Sequence, residues 1–280
     1  MKINLAKSAG FCFGVKRALE IAFQTAGSQA RVYMLGDIVH NEEVIKEIKK
    51  AGVKKIKSLA SGSGKALLIR AHGEGLVIYQ KAGALGYKIV DATCPMVKEI
   101  HQIAKEMENQ GYKIIVIGDK KHDEVRGIIG QLKNKALIID AKAKLPLKQL
   151  KKIKKAAVVC QSTQNFQKTQ AIVTELKKHI AQLKFFNTIC RPTRAKQEEI
   201  KALPCENDAV IIIGSKTSAN TQRLFEIAKS LNPRAYWVQS ARDLNKNWFK
   251  RIKSVGITAG ASTPDRITQE VIKKIRSFRG

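Results

Sequence analysis

The sequence predicts an α/β fold built from three similar small modules, each carrying a sheet of parallel strands. Three observations carry that expectation. One spacing recurs: Cys12–Gly36–His40, Cys94–Gly118–His122 and Cys190–Gly214–Ser218 share the same intervals of 24 and 28 residues (36−12 and 40−12 in the first). Each of these glycines closes a short apolar run, Val32 to Leu35, Ile114 to Ile117 and Val210 to Ile213, as buried parallel strands do. Comparable runs precede the cysteines: Tyr87 to Val90, Phe185 to Ile189 and, at the start of the chain, Lys2 to Ala6. The last has no module ahead of it, so it is expected to add a strand to the third module and close a ring. Repetition of this kind sets the architecture before single elements are assigned. The expected modules are 12–94, 95–190, and 191–280 completed by 1–11.

The elements follow in order. After Cys12, apolar Val15, Ala18, Leu19 and Ala22 keep the helical period, which puts Cys12 between a strand end and a helix start. A helix over about Glu42 to Lys50 comes next, then a strand, Ala66 to Ile69, ending at Ala71-His72-Gly73, and a helix over Leu76 to Ala84. The second module has a helix over Met96 to Gln110, the strand to Gly118, a helix over Glu124 to Leu132 and a strand over Ala136 to Asp140. A lysine-rich surface helix over Lys148 to Lys155 precedes the strand Ala156 to Cys160, which ends at Gln161-Ser162-Thr163. A long helix over Gln164 to Leu183 then leads to Cys190. In the third module the strand Ser254 to Thr258 ends at Ala259-Gly260-Ala261-Ser262, and Pro264 opens the last helix, where proline is favoured. No Ser/Gly linker separates the modules, each of which is too small to be robust alone.

The 280 residues include 52 Lys and Arg against 23 Asp and Glu, a formal net charge of +29. Such a balance invites anionic partners. The lysines are scattered over polar helix faces, however, and aromatics form only 6% of the chain, so nothing resembles a nucleic-acid-binding platform or signature. The charge reads as a solvated surface that also attracts phosphorylated substrates and acidic protein donors. No run approaches the roughly 20 apolar residues that span a membrane, and no signal-peptide pattern is present. A cytoplasmic protein with reduced thiols is expected, its cysteines more readily metal ligands or catalytic groups than disulfides.

In parallel sheets the strand C-termini and the helix starts that follow them line the ligand crevice. Nine residues fall at such ends: Cys12, Cys94 and Cys190; His40, His122 and Ser218; His72, Thr163 and Ser262. Modules set around a pseudo-threefold axis would bring them to one central cavity, with helix N-termini offering N–H groups to phosphate. Three thiolates there require a cation. An iron–sulfur cluster, usually held by four cysteines, would keep one iron open as a Lewis acid. A zinc site of three cysteines and one histidine is the rival, although the close cysteine pairs common in structural zinc sites are absent. Cys160 and Cys205 lie off the repeat and read as buried or incidental thiols, while His101 and His179, within helices, read as structural. Glu124 is a proton donor if a closed cavity lifts its pKa, or an ordinary first-turn helix charge. Ser218 and Asn220 offer neutral donors.

The motifs Gly10-Phe11-Cys12-Phe13-Gly14-Val15-Lys16-Arg17-Ala18, His40-Asn41, Ala71-His72-Gly73, Asp91-Ala92-Thr93-Cys94-Pro95, His122-Asp123-Glu124-Val125, Asn187-Thr188-Ile189-Cys190 and Thr258 through Pro264 closely resemble the LytB/IspH family of 4-hydroxy-3-methylbut-2-enyl diphosphate reductases. The likeness runs from the first ten residues to the last twenty. It implies a trefoil-like arrangement around one 4Fe-4S cluster per chain on Cys12, Cys94 and Cys190, with one iron not ligated by cysteine and open to the substrate's hydroxyl oxygen. It implies that His40, His72, His122, Ser218, Asn220 and Ser262 hold the diphosphate, that Glu124 delivers protons, and that Thr163 orients the hydroxyl group. Electrons would arrive singly from a donor such as ferredoxin or flavodoxin, water would leave, and isopentenyl or dimethylallyl diphosphate would form, the last step of the non-mevalonate isoprenoid pathway. The chain departs from the family pattern at Glu74, Asp119, Asp123, Thr217 and Ala219. Two other readings compete: an iron–sulfur electron carrier or redox sensor without substrate chemistry, and a basic nucleic-acid-binding protein supported by charge alone.

Overall fold

The computed structural model describes residues 1–278. Along the chain come β1 (Lys2–Leu5), α1 (Phe13–Ser28), β2 (Val32–Leu35), α2 (Glu42–Lys50), β3 (Val53–Ile56), β4 (Ala66–Ile69), α3 (Leu76–Ala84) and β5 (Lys88–Asp91). There follow α4 (Pro95–Asn109), β6 (Lys113–Ile117), α5 (Asp123–Ile129), β7 (Leu137–Ile139), α6 (Leu147–Leu150), β8 (Lys155–Cys160), α7 (Phe166–His179) and β9 (Gln182–Phe185). The last third holds α8 (Arg191–Glu206), β10 (Ala209–Ile213), α9 (Ala219–Leu231), β11 (Ala235–Val238), β12 (Ser254–Ala259) and α10 (Asp265–Ser277). Among the described residues no helix is long and apolar enough to cross a membrane.

The strands form three four-stranded sheets, ordered β3-β2-β4-β5, β7-β6-β8-β9 and β11-β10-β12-β1. Their pairings are parallel, so successive strands are joined by crossovers rather than tight turns. The three orders are one pattern. β1 takes the edge that β5 and β9 hold in the other sheets, with Lys2–Leu5 in register against Ser254–Ile257. A cysteine follows each of these three edge strands: Cys12, Cys94 and Cys190.

Two compact units divide the chain. One comprises residues 1–16, 40–45 and the chain from Arg191 onward; the other comprises 17–39 and 46–190. The first holds the sheet β11-β10-β12-β1. Side chains alternate across it: Ile211, Ile213, Val255 and Ile257 pack with Ile267, Val271 and Ile275 of α10, while Val210 and Ile212 pack with α8 and α9. The second unit holds the other two sheets. In β6 and β8, Ile115, Ile117 and Val158 face Val173 and Leu176 of α7, whereas Ile114, Val116, Ala157 and Val159 face α4 and α5. Coverage on both faces explains why these strands are apolar at consecutive positions.

Several boundaries differ from expectation. The lysine-rich segment is helical only over Leu147–Leu150, because Lys155 already begins β8. The helix expected from Gln164 to Leu183 runs Phe166–His179, with Asn165 accepting from the Lys168 N–H at its start and Ile180 extended at its end. β9 starts at Gln182, ahead of the expected run Phe185 to Ile189, since Gln182–Phe185 pairs with Lys155–Val158. Pro264 caps α10 from outside instead of opening it.

Ile115 is fully buried in the central strand β6. Ile115→Ala is expected to cost about 2–5 kcal/mol through lost burial and a residual cavity, read as a lower urea midpoint with an unchanged m-value.

Candidate active site

The repeat extends to one hydrogen bond that recurs three times. The N–H of Cys94 donates to the Ala71 carbonyl (2.9 Å), that of Cys190 to Ser162 (3.1 Å) and that of Cys12 to Ala261 (3.0 Å). Each acceptor immediately precedes a residue that the sequence singles out, His72, Thr163 or Ser262. Parallel register thus holds each thiol beside the loop that leaves the neighbouring strand.

In the second unit, His72 lies in a turn closed by Gly73 at φ +74°, a conformation natural to glycine. A Cβ at Gly73 would lie 2.7 Å from the His101 ring. Burial, helped by Lys105, pushes His101 down to about 4, so this ring stays neutral and serves as packing behind the turn. His122 caps α5, its Nδ1 accepting from the Glu124 N–H at 3.1 Å. A neutral imidazole accepting at Nδ1 carries its proton on Nε2, which makes Nε2 a donor. The His72 and His122 rings meet edge-on with centroids 5.3 Å apart.

Glu124 stands one residue inside α5 and is 1% exposed. The Ser162 N–H donates to one carboxyl oxygen (2.5 Å) and the Ser162 hydroxyl to the other (2.7 Å). Both bonds favour the anion, yet burial outweighs them and pushes Glu124 up to about 7, with a further lift from Asp119. An ordinary surface charge at a helix start would not behave this way, and a carboxyl half-protonated at neutral pH is suited to general-acid work. Thr163 is held from the side: Gln161 Nε2 donates to its Oγ1 at 2.9 Å, while Gln161 Oε1 accepts from the Asp119 N–H. The structure therefore ties Glu124 to Ser162, the neighbour of Thr163. Sequence reasoning missed Ser162 and Gln161 as individual contributors, although both stand in a strand-end tripeptide that the pattern marks.

In the first unit, Asn41 caps α2, its Oδ1 accepting from the N–H groups of Glu43 and Val44. The Ser262 hydroxyl donates to the carbonyl of His40 at 3.0 Å. Ser218 caps α9 through its Oγ, which accepts from the Thr221 N–H, leaving its O–H as a donor. Asn220 is 4% exposed, and neither atom of its amide makes a hydrogen bond among the described residues. Leaving such groups unmade in a protein interior costs about 1–3 kcal/mol each, so a polar ligand is the natural complement. Lys196, also missed, is nearly fully buried on α8, with its Nζ donating to the carbonyls of Ser8, Gly10 and Ala259. Burial pushes it down to about 8 against the pull of Cys12, Glu199 and Asp265. It ties the loop before Cys12 to the end of β12.

The cysteines divide into two kinds. Cys12, Cys94 and Cys190 are partly exposed thiols that stand directly before α1, α4 and α8, where helix N-termini stabilise thiolates. Each thiol so placed has the chemistry of a metal-cluster ligand. Cys160 is buried, and burial pushes its thiol up to about 12; Cys205 is exposed. Neither has the setting of a thiolate ligand.

These features define a class: α/β proteins of three like parallel sheets, with a helix-start cysteine after the edge strand of each. The chain belongs to the LytB protein family, matched over residues 3–276. It is 39% identical over 278 residues to the 4-hydroxy-3-methylbut-2-enyl diphosphate reductase of Geobacter metallireducens, covering 99% of this chain and 98% of that one. The enzyme of the same name from Aquifex aeolicus is 38% identical, covering 99% and 96%. Among solved structures, (E)-4-hydroxy-3-methyl-but-2-enyl diphosphate reductase, described as the terminal enzyme of the non-mevalonate pathway, superposes with a TM-score of 0.73 at 38% identity, covering 99% of this chain and all of that one. The reductase from Plasmodium falciparum superposes at 0.86 with 28% identity, covering 97% and 87%.

The folded protein keeps the Glu124 proton up to about pH 7, whereas the unfolded chain releases it near 4.5. The stability contributed by this group is therefore fully present below about 4.5 and lost as pH rises through 7. Relative to Glu124→Gln, the native protein should lose about 2 kcal/mol between pH 5.5 and 8 in urea melts. In Ser162→Ala the carboxyl loses a donor to its charged form, so its pKa should rise further, as read by infrared titration of the carboxyl band.

Proposed function

We propose that this chain is a 4-hydroxy-3-methylbut-2-enyl diphosphate reductase, converting (E)-4-hydroxy-3-methylbut-2-enyl diphosphate to isopentenyl and dimethylallyl diphosphate at the end of the non-mevalonate pathway. The observation that carries it is Glu124: a fully buried carboxyl that titrates near 7, on the helix start that also presents His122 against His72. An electron carrier or redox sensor has no use for such an acid, nor for the unpartnered amide of Asn220.

The reading divides the chain into modules 12–94, 95–190, and 191–280 with 1–11, one sheet to each. The thiolates of Cys12, Cys94 and Cys190 hold one 4Fe-4S cluster, with one iron not ligated by cysteine. When bound, the cluster supplies two electrons, one at a time, and a Lewis-acid iron for the substrate's hydroxyl end. The protein's part is to grip, orient and protonate. His40, His72, His122, Ser218, Asn220 and Ser262 take the diphosphate, with His122 donating from Nε2 and Asn220 gaining the partners its amide lacks. Thr163, steadied by Gln161, orients the substrate hydroxyl. Glu124 passes protons inward, and the balance closes: two electrons and two protons enter, the C–O bond breaks, water leaves, and a C–H bond forms. The basic surface suits an acidic single-electron donor such as ferredoxin or flavodoxin.

Iron and sulfide analysis with Mössbauer spectra of anaerobic protein tests the reading. The expected result is a cubane in which one iron changes its signal when the hydroxymethylbutenyl diphosphate is added; no cluster, or one indifferent to the diphosphate, overturns it. Glu124→Gln should keep the cluster and substrate affinity while losing turnover by about 10²-fold or more. In the native protein, turnover with reduced methyl viologen should fall as pH rises through about 7, because the acid form of Glu124 is depleted.

A further inference from the structure

Two of the family departures, Glu74 and Asp123, meet on one side chain. Arg70 follows directly after β4 and stands two residues before His72. Its Nη2 lies 2.6 Å from Glu74 Oε1, and its Nη1 lies 2.5 Å from Asp123 Oδ2. Glu74 adjoins the His72-Gly73 turn; Asp123 lies between His122 and Glu124. One planar fork thus joins the loop carrying His72 to the helix start carrying His122 and Glu124, a geometry that guanidinium offers and ammonium does not.

The backbone is shaped for the same join. A Cβ at Gly127 of α5 would lie 3.2 Å from the His72 carbonyl, and one at Gly75 would lie 2.9 Å from the Gly130 Cα. Leu76 N–H donates to the Gly130 carbonyl, and Gln131 Nε2 donates to that of Glu74. Gly36, the repeated strand-end glycine, leaves room for the guanidinium, since a Cβ there would lie 2.9 Å from Nη1. Burial lifts the Glu74 carboxyl above its usual range despite the opposing pull of Arg70, and buried ion pairs as a class are weak stabilisers. The worth of this fork lies in geometry.

We propose that Arg70 is a positioning residue for the reaction: by bridging Glu74 and Asp123, it fixes His72 against His122 and aims the first turn of α5, with Glu124, at the substrate. The proposal rests on the diphosphate reading of the two histidines. Loss of the fork lets the two loops part, and displacement by about 1 Å is enough to cost binding and catalysis together.

A lone, largely enclosed guanidinium would unsettle the fold, so the decisive variant removes all three charges: Arg70→Met/Glu74→Leu/Asp123→Ala. The milder Asp123→Asn releases one arm. Each is compared with the native holoprotein for melting temperature, for affinity toward inorganic diphosphate by calorimetry, and for KM and kcat. The expected triple variant folds, binds diphosphate about tenfold more weakly and shows a raised KM with a lowered kcat; Asp123→Asn lies between. A purely structural role would shift melting alone, so diphosphate affinity, KM and kcat within twofold of native in folded protein would overturn the proposal. If the triple variant does not fold, Asp123→Asn decides by the same criterion. Native protein that binds diphosphate, with the affinity weakened in the triple variant, but leaves the hydroxymethylbutenyl substrate unreduced would sink the enzyme reading and leave the positioning of the two histidines standing.

Discussion

Parallel pairing is the constraint on which the site depends. When all strands of a sheet point the same way, their C-terminal ends share one edge, and the chain leaving that edge commonly enters a crossover helix. Loop and helix start become one short segment. Here that segment repeatedly holds a thiol, an imidazole or a hydroxyl, and the bond from each cysteine N–H to the adjacent loop carries strand register directly into the placement of sulfur. The chemistry is not added to the sheets; it is their rim.

Burying ionisable groups at that rim shifts their protonation toward neutral pH. Glu124 holds its proton to about 7, and Lys196 is brought down to about 8. Both shifts come first from desolvation, and each is resisted by specific partners: Ser162 for the acid, Cys12 with two carboxylates for the lysine. Local rules of stability are relaxed in these places, as functional sites often require. The cores behind them are conventional, with alternating aliphatic faces packed on helices.

The repeat, the apolar strands and the cysteines were legible because each is a local pattern of spacing or composition. Less could be read where tertiary contact decides. The edge strand β3 carries no distinctive run, Val53–Ile56 being half lysine, and β11 is a four-residue apolar run that its pairing with β10 makes a strand. β9 begins earlier than its apolar residues suggest because β8 sets its register. The named histidines, Glu124 and Thr163 were visible, but Ser162, Gln161 and Lys196 were not, since ordinary polar residues become informative only when their partners are known. Arg70 is the sharpest case: Glu74 and Asp123 stand out singly, while their meeting on one guanidinium spans two loops distant in sequence.

The pairing of β1 with β12 also orders events during synthesis. β1 is made first among these strands, yet its partner residues begin at Ser254. Two sheets have all their strands on the ribosome while β1, and Cys12 behind it, still await a neighbour. Long-range pairing of this kind is slow to close. The sheet that β1 opens is therefore the last of the three that translation completes, and Cys12 cannot be seated against Ala261 until β12 has emerged.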